Sequence, residues 1–383
     1  VVISDGRLVT AGHDAEALED RIVCLDARSG EEQWHFTFPA ETMANFHGGG
    51  SLGTPTIDGD AVFASARNGR VHCLDLATGA LCWERDYAAD PGVEPIEYGY
   101  SAAPVVLGDT VYLALGPTFL AVARDGGDVR WRRDELGETY ATPVPMRVGE
   151  RECFALFAGL GLVVVDRADG AELARFPWTG TEGGTVNAGS PIVDGERVFI
   201  SSAYGAGAAL VDLADIGADG QPATVWANKR MRNKVSGCTL FEGHVYGFDE
   251  SILKCIRFSD GGEAWRVRGL GMGSVAVAGD RLLVLSSRGE LIVAEATPEE
   301  FRELSRRKVL DGGVYWTTPV LLDGLVYCRN SLGHLVCLDH RTQGVAAVPR
   351  DARSDDRPFG GGTERLPAAA ELLARHARES GAA

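Results

Sequence analysis

The chain has 383 residues, 45% of them hydrophobic, and its 37 lysines and arginines against 54 aspartates and glutamates give a net charge of -17. That balance excludes a surface built to neutralise nucleic-acid phosphates, which needs a basic stripe. No apolar run approaches the roughly 18 residues that cross a bilayer as a helix, and the chain exceeds the usual single-core limit, which an array of units packed on their neighbours escapes.

The first unit opens on VVISDGRL, Val1 to Leu8: a strand, an Asp5-Gly6 turn and the start of a second strand. CLDARSGEEQW, Cys24 to Trp34, adds a second turn and an aromatic. The second unit repeats this plan with TPTI from Thr54, Asp58-Gly59, an Asn68-Gly69 hairpin signal and CLDLATGALCW, Cys73 to Trp83. The third carries APVV from Ala103, Gly108-Asp109 and VARDGGDVRW, Val122 to Trp131. Later turns fall at Gly149-Glu150, Asp194-Gly195, Glu242-Gly243, Gly279-Asp280 and Asp323-Gly324. Their mean spacing of about 45 residues is the period of a four-stranded propeller blade. Between turns, short runs such as VFAS from Val62 and VYLA from Val111 have the β-branched and aromatic content of strands. Trp34, Trp83, Trp131, Trp226 and Trp265 follow on outer strands, where packing between neighbouring blades is expected.

The seventh unit departs from the plan. Thr297-Pro298-Glu299-Glu300 reads as an N-cap followed by proline and acids, so EEFRELSRRK predicts a short inserted helix near 298–308 in place of a Trp-bearing hairpin. The eighth unit has no tryptophan after its turn, and its outer strand is expected either from 345–348 or from a segment upstream of Val1. A propeller is thus expected over 1–349 and a flexible tail over 350–383, with helical spacing at 366–377.

This unit resembles the PQQ-like (pyrroloquinoline quinone) repeat, "LDxxTGxxxW", and LDLATGALCW, Leu74 to Trp83, is close to its consensus. YGYSAAPVV from Tyr98, VNAGSPIVDGERVFISSAYG from Val186, NKRMRNK from Asn228 and YWTTPVLLDGLVYCRN from Tyr315 are similar to stretches of a bacterial subgroup of that family. The resemblance implies an all-β, eight-bladed propeller of four-stranded antiparallel blades and export to the periplasm. It implies a non-catalytic scaffold that binds a protein or small molecule, as in a lipoprotein of outer-membrane assembly. The alternative it implies is an oxidoreductase of alcohol dehydrogenase type using PQQ with calcium. Those quinoproteins hold PQQ between a tryptophan floor and a disulfide of adjacent cysteines. None of the eight cysteines here are adjacent, and no Asp-Trp-Tyr-Gly-like segment occurs, so no catalytic residue carries over.

Cys24, Cys73, Cys255 and Cys337 share one repeat position, which suits small core residues. Cys73 with Cys82, and Cys328 with Cys337, fall on adjacent strands of predicted hairpins and are the pairs to test for a disulfide. No CxxC or HxxxH spacing marks a metal site.

Any ligand site is expected at the funnel mouth, where the segments entering the inner strands converge. Those segments bring His47, Glu97, Tyr98, Tyr100, Tyr140, Asn187, Asn233, Lys234, Met272, Tyr315 and Trp316 toward one cavity, or else tie one blade to the next. Glu97 and Trp316 would be the carboxylate and aromatic floor of an enzyme. Arg329, at the end of a strand, is a candidate for bidentate binding of a carboxylate or phosphate.

Overall fold

The computed structural model describes residues 1–41, 53–90, 93, 96–180 and 186–341, and the backbone of 361–365. These residues form eight four-stranded sheets, each built from four strands consecutive in the chain. Blade 2 is representative, with strands Thr56–Asp58, Ala61–Ser65, Arg70–Asp75 and Leu81–Asp86. The first strands of neighbouring blades lie against one another, which sets them around the axis of a propeller. Among the described residues there is no α-helix, only a three-residue 3-10 turn at Tyr87–Ala89, and no helix is long and apolar enough to cross a membrane.

A blade is too thin to bury an apolar face by itself, so the core lies between blades. Eight apolar clusters fill the eight seams, each drawing on two neighbouring blades. The seam that closes the ring joins Leu325, Tyr327 and Cys337 of blade 8 to Leu8, Val23 and Leu25 of blade 1.

The repeat itself is explained by a joint that recurs from seam to seam. Trp34 of blade 1 donates its Nε1 proton to the carbonyl of Leu76 in blade 2, at 2.9 Å. Trp83, Trp131, Trp226 and Trp265 do the same to Arg124, Arg167, Phe258 and Thr297 of the blades that follow, at 2.8, 3.1, 2.8 and 2.8 Å. Each indole removes roughly 200 Å² from water, worth about 5 kcal/mol at roughly 25 cal/mol per Å². The turn glycine of the next blade makes room for it. Gly79 has φ +72°, and a Cβ there would stand 2.6 Å from the Trp34 ring. Gly127, Gly170 and Gly261 stand against Trp83, Trp131 and Trp226 in the same way. Across the sheet, Cys24, Cys73 and Cys255 lie directly opposite Trp34, Trp83 and Trp265. A small residue is required there because the indole covers it.

Two expectations are corrected. Residues 298–308 are not a helix: Glu303–Lys308 is the fourth strand of blade 7, with Ser305 opposite Val293 at the register position that tryptophan holds elsewhere. A helix this short is marginal alone, whereas the exposed edge of Glu290–Glu295 offers backbone partners. The alternating charges also pair across the sheet, Arg302 with Glu295 at 2.6 Å and Arg306 with Glu290 at 3.3 Å. Phe301 keeps the seam filled, its ring 5.5 Å from that of Trp265. Secondly, blade 8 is not wholly antiparallel: its fourth strand, Gly361–Arg365, runs parallel to Leu335–Asp339 and comes from beyond position 350. The segments 345–348 and 366–377 lie outside the described residues. Both cysteine pairs do fall on adjacent strands, though neither is directly opposed. Cys82 is the bulge residue between Leu81 and Trp83, Cys328 faces Val336 and Cys337 faces Tyr327. All eight cysteines are free thiols, and burial pushes that of Cys73 up to about 12.

Candidate functional site

The propeller has two unlike faces. One carries the tight turns after the first and third strands. The other, here the connector face, carries the segments that lead into each first strand together with the hairpins between second and third strands. Every funnel-mouth candidate among the described residues belongs to the connector face.

Several candidates are consumed in tying the blades together. Asn233 is buried, donates Nδ2 to the Phe248 carbonyl at 3.1 Å and accepts from the Cys238 thiol at 3.0 Å. Asn187 donates Nδ2 to the Ala158 carbonyl at 2.6 Å. Tyr315 donates its hydroxyl to Leu310 at 3.2 Å, and Tyr100 is core in the seam between blades 2 and 3. Met272 and Trp316 are half-buried in the connectors before blades 7 and 8, and His47 lies outside the described residues. Arg329 crosses the closing seam, donating to the Thr10 hydroxyl and, at 3.1 Å, to the Ala11 carbonyl. Burial lowers its pKa, and it lines a small cavity with Thr10, Val23, Leu25, Gly333 and Leu335.

The rest converge. Tyr98 and Tyr140, from successive connectors, have ring centroids 5.8 Å apart, and the Tyr140 hydroxyl donates to Glu138 Oε2 at 2.7 Å. Burial and, after it, the Glu138 carboxylate push the Tyr140 phenol far above its ordinary range. Burial, then a hydrogen bond with Glu97, raises Tyr98, and burial, then the charge of Glu97, raises Tyr204. Tyr204, in the blade 5 hairpin, adopts φ 56°, a left-handed conformation that a bulky residue holds only against strain. The Lys234 ammonium lies 5.6 Å from the centre of its ring. Tyr98, Tyr140 and Glu138 are thus in contact, with Glu97 beside Tyr98, and Lys234 with Tyr204 forms a second contact on the same face.

The sequence marks the segments that hold these two residues, ETYA from Glu138 and Ser202 to Gly207, as leading into the funnel mouth or contributing to it, but singles out neither Glu138 nor Tyr204 within them. The one usable signal was an aromatic standing beside glycine in a hairpin, where small polar residues are usual.

The polar set does not fit a PQQ–calcium pair. Its amides are spent on blade carbonyls, its cysteines form no disulfide, and among the described residues no three His, Cys, Asp or Glu side chains group closely enough to hold a metal ion.

Comparison with known proteins agrees with this fold. A family model described as outer membrane protein assembly factor BamB matches residues 18–267. The outer membrane protein assembly factor BamB of Bordetella pertussis is 25% identical over 193 residues, which are 48% of this chain and 45% of that protein, so the match spans less than half of that relative. In the crystal structure of BamB from Moraxella catarrhalis the likeness covers 86% of this chain and 97% of that one, with a TM-score of 0.62 at 16% identity. For the quinohemoprotein alcohol dehydrogenase from Comamonas testosteroni the shares are 84% and 72%, with a TM-score of 0.55 at 11% identity. At such identities the structural likeness shows the propeller alone, common to assembly factors and dehydrogenases. The family model matches well over half of the sequence, and the chain belongs to the PQQ-like β-propeller family whose model bears the description outer membrane protein assembly factor BamB.

Proposed function

We propose that this protein is a non-catalytic propeller scaffold that docks another protein on its connector face. The observation that carries this reading is the set of large apolar side chains exposed on that face. Leu18, Leu160 and Leu332, at hairpin tips of blades 1, 4 and 8, are about half exposed (51%, 49% and 51%). Val314 joins Leu332, because the Ser331 amide donates to the Val314 carbonyl at 3.0 Å. Leu18 also holds φ 54°, a left-handed geometry that costs a side-chain-bearing residue about 1 to 2 kcal/mol. Hairpin tips ordinarily take glycine, asparagine or aspartate. An exposed, strained leucine gives the fold nothing and suits an apolar partner surface.

The family description supports a protein partner of the kind met in outer-membrane assembly, and with it a place outside the cytoplasm, for this chain. The test is site-specific photo-cross-linking in cells that make the full-length protein. Probes at Leu18, Leu160 and Leu332 are expected to give discrete adducts, and probes at Asp125 and Glu150 on the turn face are not. Adducts from the turn face alone would refute the assignment of the face. Dye-linked alcohol oxidation on adding PQQ and Ca²⁺ would refute the non-catalytic reading.

A further inference from the structure

Of the eight thiols only that of Cys82 is exposed, and it stands at a bulge in the outer strand of blade 2. Against Arg70–Asp75 the strand Leu81–Asp86 carries one extra residue: Leu74 faces Leu81, Cys73 faces Trp83, and Cys82 falls between. A bulge of this kind sets two residues of one strand against one of the other. Blade 1 shows where the side chain of the extra residue goes. Its bulge residue, Gln33, holds the same place beside Trp34, and the thiol of Cys24, the counterpart of Cys73, donates to Gln33 Oε1 at 3.9 Å. In blade 2 cysteine stands at both places, so the corresponding contact joins two sulfurs. Burial, and after it the Cys82 thiol alongside, push the Cys73 thiol up to about 12. One sulfur is thus open to solvent while its neighbour lies buried in the seam with Trp83. The remaining cysteines lack this arrangement. Cys328 and Cys337 are both buried and face Val336 and Tyr327, and the Cys238 thiol donates to Asn233 Oδ1 at 3.0 Å.

We propose that Cys73 and Cys82 are a redox pair, which a disulfide-bearing oxidant closes into a bond between the third and fourth strands of blade 2. The exposed thiol reacts first. The Cys82 thiolate attacks one sulfur of the oxidant, a mixed disulfide forms, and the oxidant's other sulfur leaves as a thiolate and takes up a proton. The Cys73 sulfur then gives up its proton and attacks Cys82 Sγ, and the sulfur held in the mixed disulfide leaves as a second thiol. Two protein thiols are oxidised and one disulfide is reduced to two thiols. The bond bears on the seam to blade 3, because the strand it ties down carries contacts across that seam. Trp83 donates to the Arg124 carbonyl at 2.8 Å, Arg85 meets Asp128 at 3.1 Å, and just beyond the strand Tyr87 donates to the Gly127 carbonyl at 2.5 Å. An outer strand held to its own blade by backbone pairing alone opens more readily than one that is also tethered covalently. The pair stands apart from the docking reading and does not depend on it.

The test incubates the reduced full chain with oxidised glutathione, then blocks the remaining thiols in denaturant before digestion with trypsin. The tryptic peptide from Val71 to Arg85 holds both cysteines, because no lysine or arginine lies between Arg70 and Arg85. It is expected to lose two hydrogens and to take no blocking group. After a second cleavage before Asp75 its two parts should stay joined until a reductant is added. Cys73→Ser is expected to stop at a glutathione adduct on Cys82, and Cys82→Ser to leave Cys73 reduced. In the closed form, amide exchange over 81–86 should slow about fivefold. A glutathione adduct that persists on Cys82 of the unaltered chain overturns the proposal. So does closure of Cys328 with Cys337 at the same rate, which would mark unfolding rather than a built pair. Closure with unchanged exchange over 81–86 overturns the hold on the seam.

Discussion

Replacing Gly79 by alanine measures the joint between blades 1 and 2. Two costs arise at that position. The backbone sits at φ +72°, where any L-residue with a Cβ loses about 1 to 2 kcal/mol. The new methyl would also stand 2.6 Å from Cδ2 and Cε3 of Trp34, so the indole has to move. Moving it lengthens or breaks the 2.9 Å bond from Nε1 to the Leu76 carbonyl, about 1 kcal/mol. It also uncovers part of the ring, about 1 to 2 kcal/mol more. Gly79→Ala is therefore expected to cost about 3 to 5 kcal/mol, summing those parts. Gly195 supplies the control, since it has φ +60° and open space where a Cβ would go, so Gly195→Ala loses only the backbone part. The assay is urea unfolding of both variants at matched m-value, with Gly79→Ala repeated in a Trp34→Ala background. There the extra cost should vanish, which makes the two residues coupled by about 2 kcal/mol. Equal destabilisation by Gly79→Ala and Gly195→Ala, or additivity with Trp34→Ala, would refute the joint as the cause of the glycine.

Three other outcomes follow from the same geometry. Trp265→Ala removes packing against Tyr246 and Phe301 and the bond to Thr297, and should cost about 3 to 5 kcal/mol in urea unfolding; Trp265→Phe, losing mainly the bond, should cost about 1. Asp249 is buried between Arg232 at 2.6 Å and Lys254 at 2.7 Å, so Asp249→Asn leaves the buried Lys254 ammonium with only the more distant Glu263, at 3.4 Å, as counter-charge. A loss of about 3 kcal/mol is expected, with faster amide exchange over 230–236. His72, fully buried and 4.2 Å from the Phe38 ring, has its pKa lowered chiefly by burial, against the pull of Glu84. The unfolded chain therefore takes up a proton at higher pH than the folded one. The stability this group contributes is full above the unfolded value of 6.5 and falls as pH drops below it. His72→Phe should flatten that part of the unfolding midpoint against pH, leaving the residual slope from His340, which burial shifts the same way.

Much of this was legible because a joint made from local turn chemistry repeats: an Asp/Thr–Gly turn and a tryptophan a few residues later are close enough in sequence to be seen together. What stayed hidden depends on partners far away. The start signals at Thr297 to Glu300 are genuine as local preferences, yet an unpaired strand edge on blade 7 outweighs them. Glu97 and Tyr204 come from a connector before blade 3 and a hairpin of blade 5, and no period in the sequence relates them. Asn187 and Asn233 read as site residues because amides suit pockets, and the same chemistry makes them ties between backbone segments. Tyr327 left no trace in the repeat at all. Its hydroxyl donates to the Ala27 carbonyl at 2.7 Å, meeting in the closing seam the acceptor that an indole meets elsewhere, but from a different strand.

The joints also have a direction. Each of these indoles sits on one blade and reaches for a carbonyl on the next, so its acceptor has yet to be made when its blade leaves the ribosome, whereas Tyr327 of blade 8 meets a carbonyl, Ala27, made at the start. Synthesis then works as a ratchet. Each new blade, on arrival, quenches the sticky edge of its predecessor and exposes one of its own. The pattern lapses after blade 4, where Ala174 stands at the tryptophan position, and after blade 7, where Ser305 does. Those two gaps divide the chain into a four-blade arc and a three-blade arc before the eighth blade turns back to meet the first.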